Sequence, residues 1–258
     1  MFGFRTAALA AGFVLLPICA AQAQSSDAAA AASLTKASLE AYDGQPSGLW
    51  VPVYGSGRPF FEIDTIQFRP WAKGLFDSRQ EHDLEPHARC KPSGAIRQFL
   101  TPYGVEIVEL EQLSRIYIFD IGGPHAFREI FMDGRSHPPN ITPSYYGHNI
   151  GWWEGDTLVV DSVGYNEGFW FERAGLPHTE AVHVTEYFQR VDADTIEYTF
   201  VMEDELTYNA PVEGRMVLAW REGEELFEYM CQQANYAHEL MVNPALPDRI
   251  RNSPVVVP

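Results

Sequence analysis

The sequence predicts an all-β domain, an antiparallel β-barrel behind a loop-rich N-terminal stretch. Three observations predict it: period-two alternation from residue 105 onward, a repeated strand–turn–strand unit, and few helical runs. Val105, Ile107 and Glu109 alternate with Glu106, Val108 and Leu110, and Ile116 and Ile118 alternate with Tyr117 and Phe119. Ile196, Tyr198, Phe200 and Met202 share one face, while Thr195, Glu197, Thr199 and Glu203 share the other. A strand points successive side chains to opposite faces, so this alternation marks half-buried antiparallel strands.

The repeated unit is an apolar strand, a short polar turn with Gly or Asp, and a second apolar strand. It occurs at Trp152–Asp161, Gln189–Tyr198 and Trp220–Tyr229. Turn residues of this kind reverse the chain between paired strands. The spacing gives a meander of roughly eight or nine strands, as in a barrel or sandwich. A calycin-like (lipocalin-like) barrel fits best, because closure removes free strand edges and encloses a cavity for one small ligand. A two-sheet sandwich is the alternative. Residues 45–104 carry seven prolines and read as loops with one helix over 71–84. The polar segment 133–152 is too long and Pro-rich for core, and connections of that length are often functional.

The chain has 258 residues, near the upper range for one domain. Met1–Ala23 has an early cation, Arg5, an apolar run over 7–21 and Ala21-Gln22-Ala23, which reads as a cleavable secretory signal. Residues 24–44 read as an Ala/Ser-rich tether and 45–258 as a single β-rich domain. The expected protein is exported, periplasmic in a Gram-negative host, with no membrane anchor after cleavage. Removing the signal leaves Cys90 and Cys231, and an even pair in an oxidising compartment points to one disulfide, against two buried thiols. The net charge of −17 repels nucleic-acid phosphates, so nucleic-acid partners are not expected. Aromatics make up 13% of the chain, enough to line an apolar pocket as well as fill a core.

Reactive side chains concentrate between Asp133 and Glu186. Four of the eight histidines, His137, His148, His178 and His183, fall there with Asp133, Arg135, Tyr146, Glu180 and Trp170. Histidine trades protons near neutral pH, and a wet pocket needs several convergent polar groups. The expected roles are His148 and His178 as base and acid, Glu180 orienting a histidine, and Tyr146 as a phenolic hydrogen-bond partner. Asp133, Arg135, His137, Trp170 and His183 are expected to bind substrate, with Arg135 pairing a carboxylate through its two-pronged fork. Each also has a plain structural reading: a turn with a salt bridge at 133–135, a loop histidine at 137, a turn-holding histidine at 148, and packing over the barrel mouth for Trp170. Zinc-type spacings, nucleophile motifs and phosphate loops are missing from the sequence, so no metal and no cofactor are expected.

Asp133-Gly134-Arg135-Ser136-His137-Pro138, Gly147-His148, Trp153-Glu154-Gly155-Asp156-Thr157-Leu158-Val159-Val160-Asp161, Gly164-Tyr165-Asn166, Pro177-His178-Thr179-Glu180 and Cys231 together resemble a large family of exported bacterial proteins, most without an assigned activity. The resemblance spans about residues 85–236. Where that family has Ser after the Gly-His pair this chain has Asn149, and where it has Arg before Trp-Glu-Gly it has Trp152. In general type the chain also resembles cofactor-independent enzymes of sphingomonads that decarboxylate lignin-derived aromatic dimers or release formaldehyde from them. That resemblance implies a lyase or isomerase on a small aromatic substrate. Two other classes remain open from the residues themselves: a periplasmic carrier of an aromatic ligand, and a metal-dependent hydrolase.

Overall fold

The computed structural model describes residues 39, 48–54, 60–80, 85–122, 126–229 and 231. The expected signal segment 1–23 and, apart from Leu39, the tether 24–44 lie outside the described residues. Nine strands form a closed barrel: β1 (Gly48–Pro52), β2 (Val105–Leu110), β3 (Arg115–Asp120), β4 (Ala126–Phe131), β5 (His148–Glu154), β6 (Thr157–Val163), β7 (His183–Asp192), β8 (Thr195–Glu203) and β9 (Val212–Glu222). Their spatial order follows the sequence, and β9 closes on β1 through Gly48↔Glu222 to Pro52↔Leu218. The all-β, lipocalin-like barrel read from the sequence is the observed fold.

Three local expectations are corrected. The stretch 45–104 holds a strand, β1, which is too short and Pro-flanked to show a period. The third hairpin does not form: β9 runs on through Trp220 to Glu222, and 224–229 is not strand. The physical reason is the closure itself, since β1 occupies the edge of β9 on which a returning strand would have paired. Finally, one joint is not antiparallel. β4 and β5 pair in parallel through Ile130↔Asn149 and Phe131↔Ile150. A parallel neighbour needs a crossover of about a dozen residues or more, and the segment 132–147 supplies it.

The helix, α1 (Pro70–Arg79), starts with Pro at its first turn, where the missing N–H has no intrahelical role. Its carboxyl end meets the β6–β7 connection, where Arg79 donates to the Gly175 carbonyl at 2.8 Å and lies over the Trp170 ring. Cys90 and Cys231 are disulfide-bonded, so the expected pair forms, although Cys231 lies beyond the last strand.

Alternate positions fill the barrel. Leu158, Val160, Val184, Phe188, Ile196, Tyr198 and Met202 are fully buried, each side chain worth about 1.5–3 kcal/mol when taken from water. Among them sits an ion pair with no solvent exposure, Arg128 on β4 with Glu186 on β7. Arg128 Nη1 donates to Glu186 at 2.9 Å, Nη2 to Glu186 and Ser162, and Nε to Asn149 at 2.9 Å. The Tyr198 hydroxyl donates to Glu186 at 2.7 Å. Burial would pull the guanidinium pKa down, and Glu186 more than offsets this, so Arg128 keeps its charge.

The antiparallel order sorts the connections by end. Tight turns at 111–114, 155–156 and 193–194 lie at one end. The long connections β1–β2, β6–β7 and β8–β9 gather at the other, together with the starts of β5 and β7. The crossover 132–147 links the two ends along the outside of the barrel.

Candidate active site

At the loop-bearing end, four strands present polar side chains on their outer face. His148 opens β5, Asp161 is the third residue from the end of β6, His183 opens β7 and Glu203 ends β8. The register makes them neighbours: His148 faces Val163, Asp161 faces Thr185, and His183 faces Glu203. They point outward because their flanking residues, Asn149, Val160, Ser162 and Val184, point into the barrel. The crossover then brings His137 onto this face. Its Nδ1 lies 2.8 Å from Nδ1 of His148, and its Nε2 lies 3.4 Å from Asp161 Oδ1. The same carboxylate oxygen is 2.6 Å from His183 Nε2, whose Nδ1 is 3.7 Å from Glu203.

Glycine makes the crossover's return to β5 feasible. Gly147, directly before His148, has φ +65°, and a Cβ there would come within 2.6 Å of the Val163 carbonyl. Ser144 and Asn166 fasten the segment further through backbone bonds to Gly164 and Ser144.

With the three imidazoles neutral, one set of tautomers satisfies the three hydrogen bonds that link His148, His137, Asp161 and His183. A carboxylate only accepts, so His137 and His183 each present Nε2–H to Asp161. His137 Nδ1 is then an acceptor, and His148 must donate through Nδ1–H. This leaves His148 Nε2 with a lone pair, and among the described residues nothing hydrogen-bonds to it. Burial first, then the neighbouring His137 and Arg135, lower the His148 pKa, so the ring is neutral at neutral pH. The two hydrogen bonds form a continuous path from His148 through His137 to the Asp161 carboxylate, along which a proton can pass, a relay.

Beside the relay, Phe131 stacks on His148 with ring centroids 5.0 Å apart, and the Arg135 and Arg115 guanidiniums lie 3.9 and 4.2 Å from the Phe131 centroid. Arg135 gives Nε and Nη2 to Asp133, at 2.8 and 2.6 Å, which holds the Asp133 carboxyl well below the usual range. Among the described residues, Arg135 Nη1 makes no hydrogen bond. The salt-bridged turn expected at 133–135 is therefore present, and it abuts the relay.

The structure thus unites His137, His148, His183, Asp133 and Arg135. It does not bring His178, Tyr146, Glu180 or Trp170 to them. His178 is only 6% exposed, wedged between Phe169 and Phe171 with centroids 4.7 and 4.6 Å away, and it donates Nε2–H to the Asn166 carbonyl at 2.9 Å. Burial pushes its pKa down to about 4, so it stays neutral and serves packing rather than acid catalysis. Glu180 is exposed, and among the described residues it bonds to no histidine. Trp170 is buried under Arg79, not displayed over a mouth. Tyr146 faces inward, where burial raises its hydroxyl pKa and keeps it protonated. Asp161 and Glu203 were not singled out from the sequence. The signal for Asp161 was present, a lone carboxylate inside the apolar run Leu158–Val163.

Among the described residues, no group of three or more His, Cys, Asp or Glu side chains is arranged to hold a metal ion. No protein-family model, curated protein or solved structure matches this chain.

Proposed function

We propose that the chain is an exported acid–base enzyme, a cofactor-independent lyase or isomerase acting on a small aromatic acid. The observation that carries this reading is the His148–His137–Asp161–His183 chain, which leaves one unprotonated imidazole nitrogen backed by a buffered path for its proton. His148 Nε2 removes a proton from a phenol or carbon acid. Arg135 Nη1 pairs the substrate carboxylate or the anion that develops. A phenolate so formed expels a phenoxide leaving group from its para benzylic carbon, and that phenoxide takes up the proton, leaving a quinone methide. The quinone methide accepts the electron pair of the bond to a neighbouring carboxylate or hydroxymethyl carbon, releasing carbon dioxide or, with loss of the hydroxyl proton, formaldehyde. A carbanion instead takes the proton back at another carbon. A positioned base of this kind contributes about 10²–10⁴-fold. The general resemblance to sphingomonad enzymes of lignin-derived dimers supports the choice of substrate class, and the secretory-type segment 1–23 supports a periplasmic location.

The test is turnover of a panel of lignin-type aromatic acids by the natural chain and its variants. His148→Gln should lower kcat about 10²–10⁴-fold with little change in KM, while Glu180→Ala should match the natural chain. Activity should fall as acid protonates His148, at a pH below the ordinary histidine range. Full turnover in His148→Gln would overturn the assignment.

A further inference from the structure

The chain before α1 is tied to the barrel at two points. Phe61 bridges to Gly214 on β9, and Phe68 bridges to Tyr208 in the β8–β9 connection. Backbone bonds fasten both ties: the Arg215 N–H donates to the Phe60 carbonyl at 3.2 Å, Asn209 to Gln67 at 2.7 Å and Arg69 to Thr207 at 2.8 Å. Gly214 permits the first tie, because a Cβ there would come within 2.7 Å of the Phe60 carbonyl and 2.2 Å of the Phe200 ring. Between the ties the chain bows through the 3-10 turn Ile63–Thr65, where the Thr65 N–H and hydroxyl donate to the Glu62 carbonyl at 2.9 and 2.8 Å. A cleft of about 580 Å³ lies between this bow and the outer face of β8 and β9, a volume typical of small-molecule sites.

The lining joins an apolar wall to open hydrogen-bonding groups. Phe60, Ile66 and Val201 form the wall, each half-buried. Glu62, Glu213 and Arg215 line the same cleft, and among the described residues their side chains make no hydrogen bond or ion pair. The register sets Arg215 across from Thr199, whose hydroxyl also lines the cleft, and Glu213 across from Val201. These groups select among ligands. An anion would meet two carboxylates, and a simple cation would meet the guanidinium. An amino acid carries one charge of each sign and leaves the second carboxylate and the Thr199 hydroxyl unused. A carboxylate only accepts and a guanidinium only donates, whereas a sugar hydroxyl does both. A sugar ring also presents C–H groups that pack on an apolar wall.

We infer that this cleft is a binding site for a neutral sugar of one or two rings. Glu62 and Glu213 accept from its hydroxyls, Arg215 donates to its oxygens, and its C–H face rests on the wall of Phe60, Ile66 and Val201. The site shares the barrel's outer surface with the histidine relay but is separate from it. The register runs Asp161↔Thr185↔Val201↔Glu213, so three strand spacings, about 14 Å, lie between the Asp161 and Glu213 backbones.

Calorimetric titration of the full, disulfide-bonded chain with glucose, galactose, xylose, cellobiose and maltose tests this. At least one should bind saturably, and L-serine, a zwitterion, should not displace it. Arg215→Ala should weaken binding about tenfold, the equivalent of one hydrogen bond to a charged group. Arg215 is exposed and its side chain has no partner among the described residues, so this variant keeps the fold even if Val201→Trp, which fills the cleft, does not. His148→Gln should bind as the natural chain does. No saturable binding of any of the five sugars, or equal binding by Arg215→Ala, would overturn the inference. Binding kept by Arg215→Ala but lost in His148→Gln would place the sugar at the relay, and displacement by L-serine would make the ligand a zwitterion; either result overturns it equally.

Discussion

His148 and His178 carry the same side chain into opposite chemistry. His148 stands half-exposed at a strand start with one nitrogen open; His178 is enclosed by two phenylalanine rings. The difference becomes a stability effect. Burial pushes His178 and His87 down to about 4, below the ordinary value near 6.5 that an unfolded chain shows. Between those values the unfolded state binds more protons, so stability is full above about pH 6.5 and is lost as pH falls toward 4. Asp120, raised to about 6 by burial, works the other way, because the folded chain keeps a proton that the unfolded chain releases near 4. Two histidines outweigh one carboxyl. The urea midpoint should therefore fall from pH 7 to pH 4.5, and His178→Phe should fall less steeply. At this scale the sequence revealed the reactive residue types but not their directions. His183 and Val182 differ by one position and face opposite sides, and only the barrel's inside decides which is wet.

Period two is a local signal, and the elements it governs were legible: β2, β3 and the hairpins β5–β6 and β7–β8. What depends on a distant partner was not. β1 has five residues and is a strand because β9 pairs with it. Residues 224–229 look like a strand but find the edge taken. The parallel β4–β5 joint is likewise invisible locally, and with it the reason that 132–147 lies along the outside and delivers His137 to His148. This element hangs on Gly147. Gly147→Ala would force a left-handed residue and a backbone clash, costing about 1–2 kcal/mol for the conformation alone. Chemical denaturation should show that loss, and turnover should fall with it, while far-UV circular dichroism still reports the barrel.

For the whole molecule, two long-range ties bear on stability. The Cys90–Cys231 disulfide closes a separation of 141 residues, for which chain entropy gives an upper figure of about 5 kcal/mol. The double variant Cys90→Ser/Cys231→Ser should lose a large part of that, read as a lower denaturation midpoint. The Arg128–Glu186 pair behaves differently. Glu186→Leu strands a buried guanidinium and should cost about 3–5 kcal/mol, whereas Arg128→Met/Glu186→Leu together should cost less than either change alone. A double-mutant cycle reads the coupling directly.

The two thin seams of the barrel carry one further consequence, in the order of assembly. β4 meets β5 over two residue pairs and β1 meets β2 over one, while the other joints are longer. The barrel is thus two antiparallel sheets, β2–β4 and β5–β9 with β1, brought together along short edges. Neighbouring hairpins zip early, because their loops are short; the seams wait on closure of long loops. Phe131, Arg135 and His137 arrive from one side of the β4–β5 seam, and His148, Asp161 and His183 from the other. The His137 contacts to His148 and Asp161 therefore belong to the last docking step: an intermediate can hold nearly all of its sheet and still lack that link.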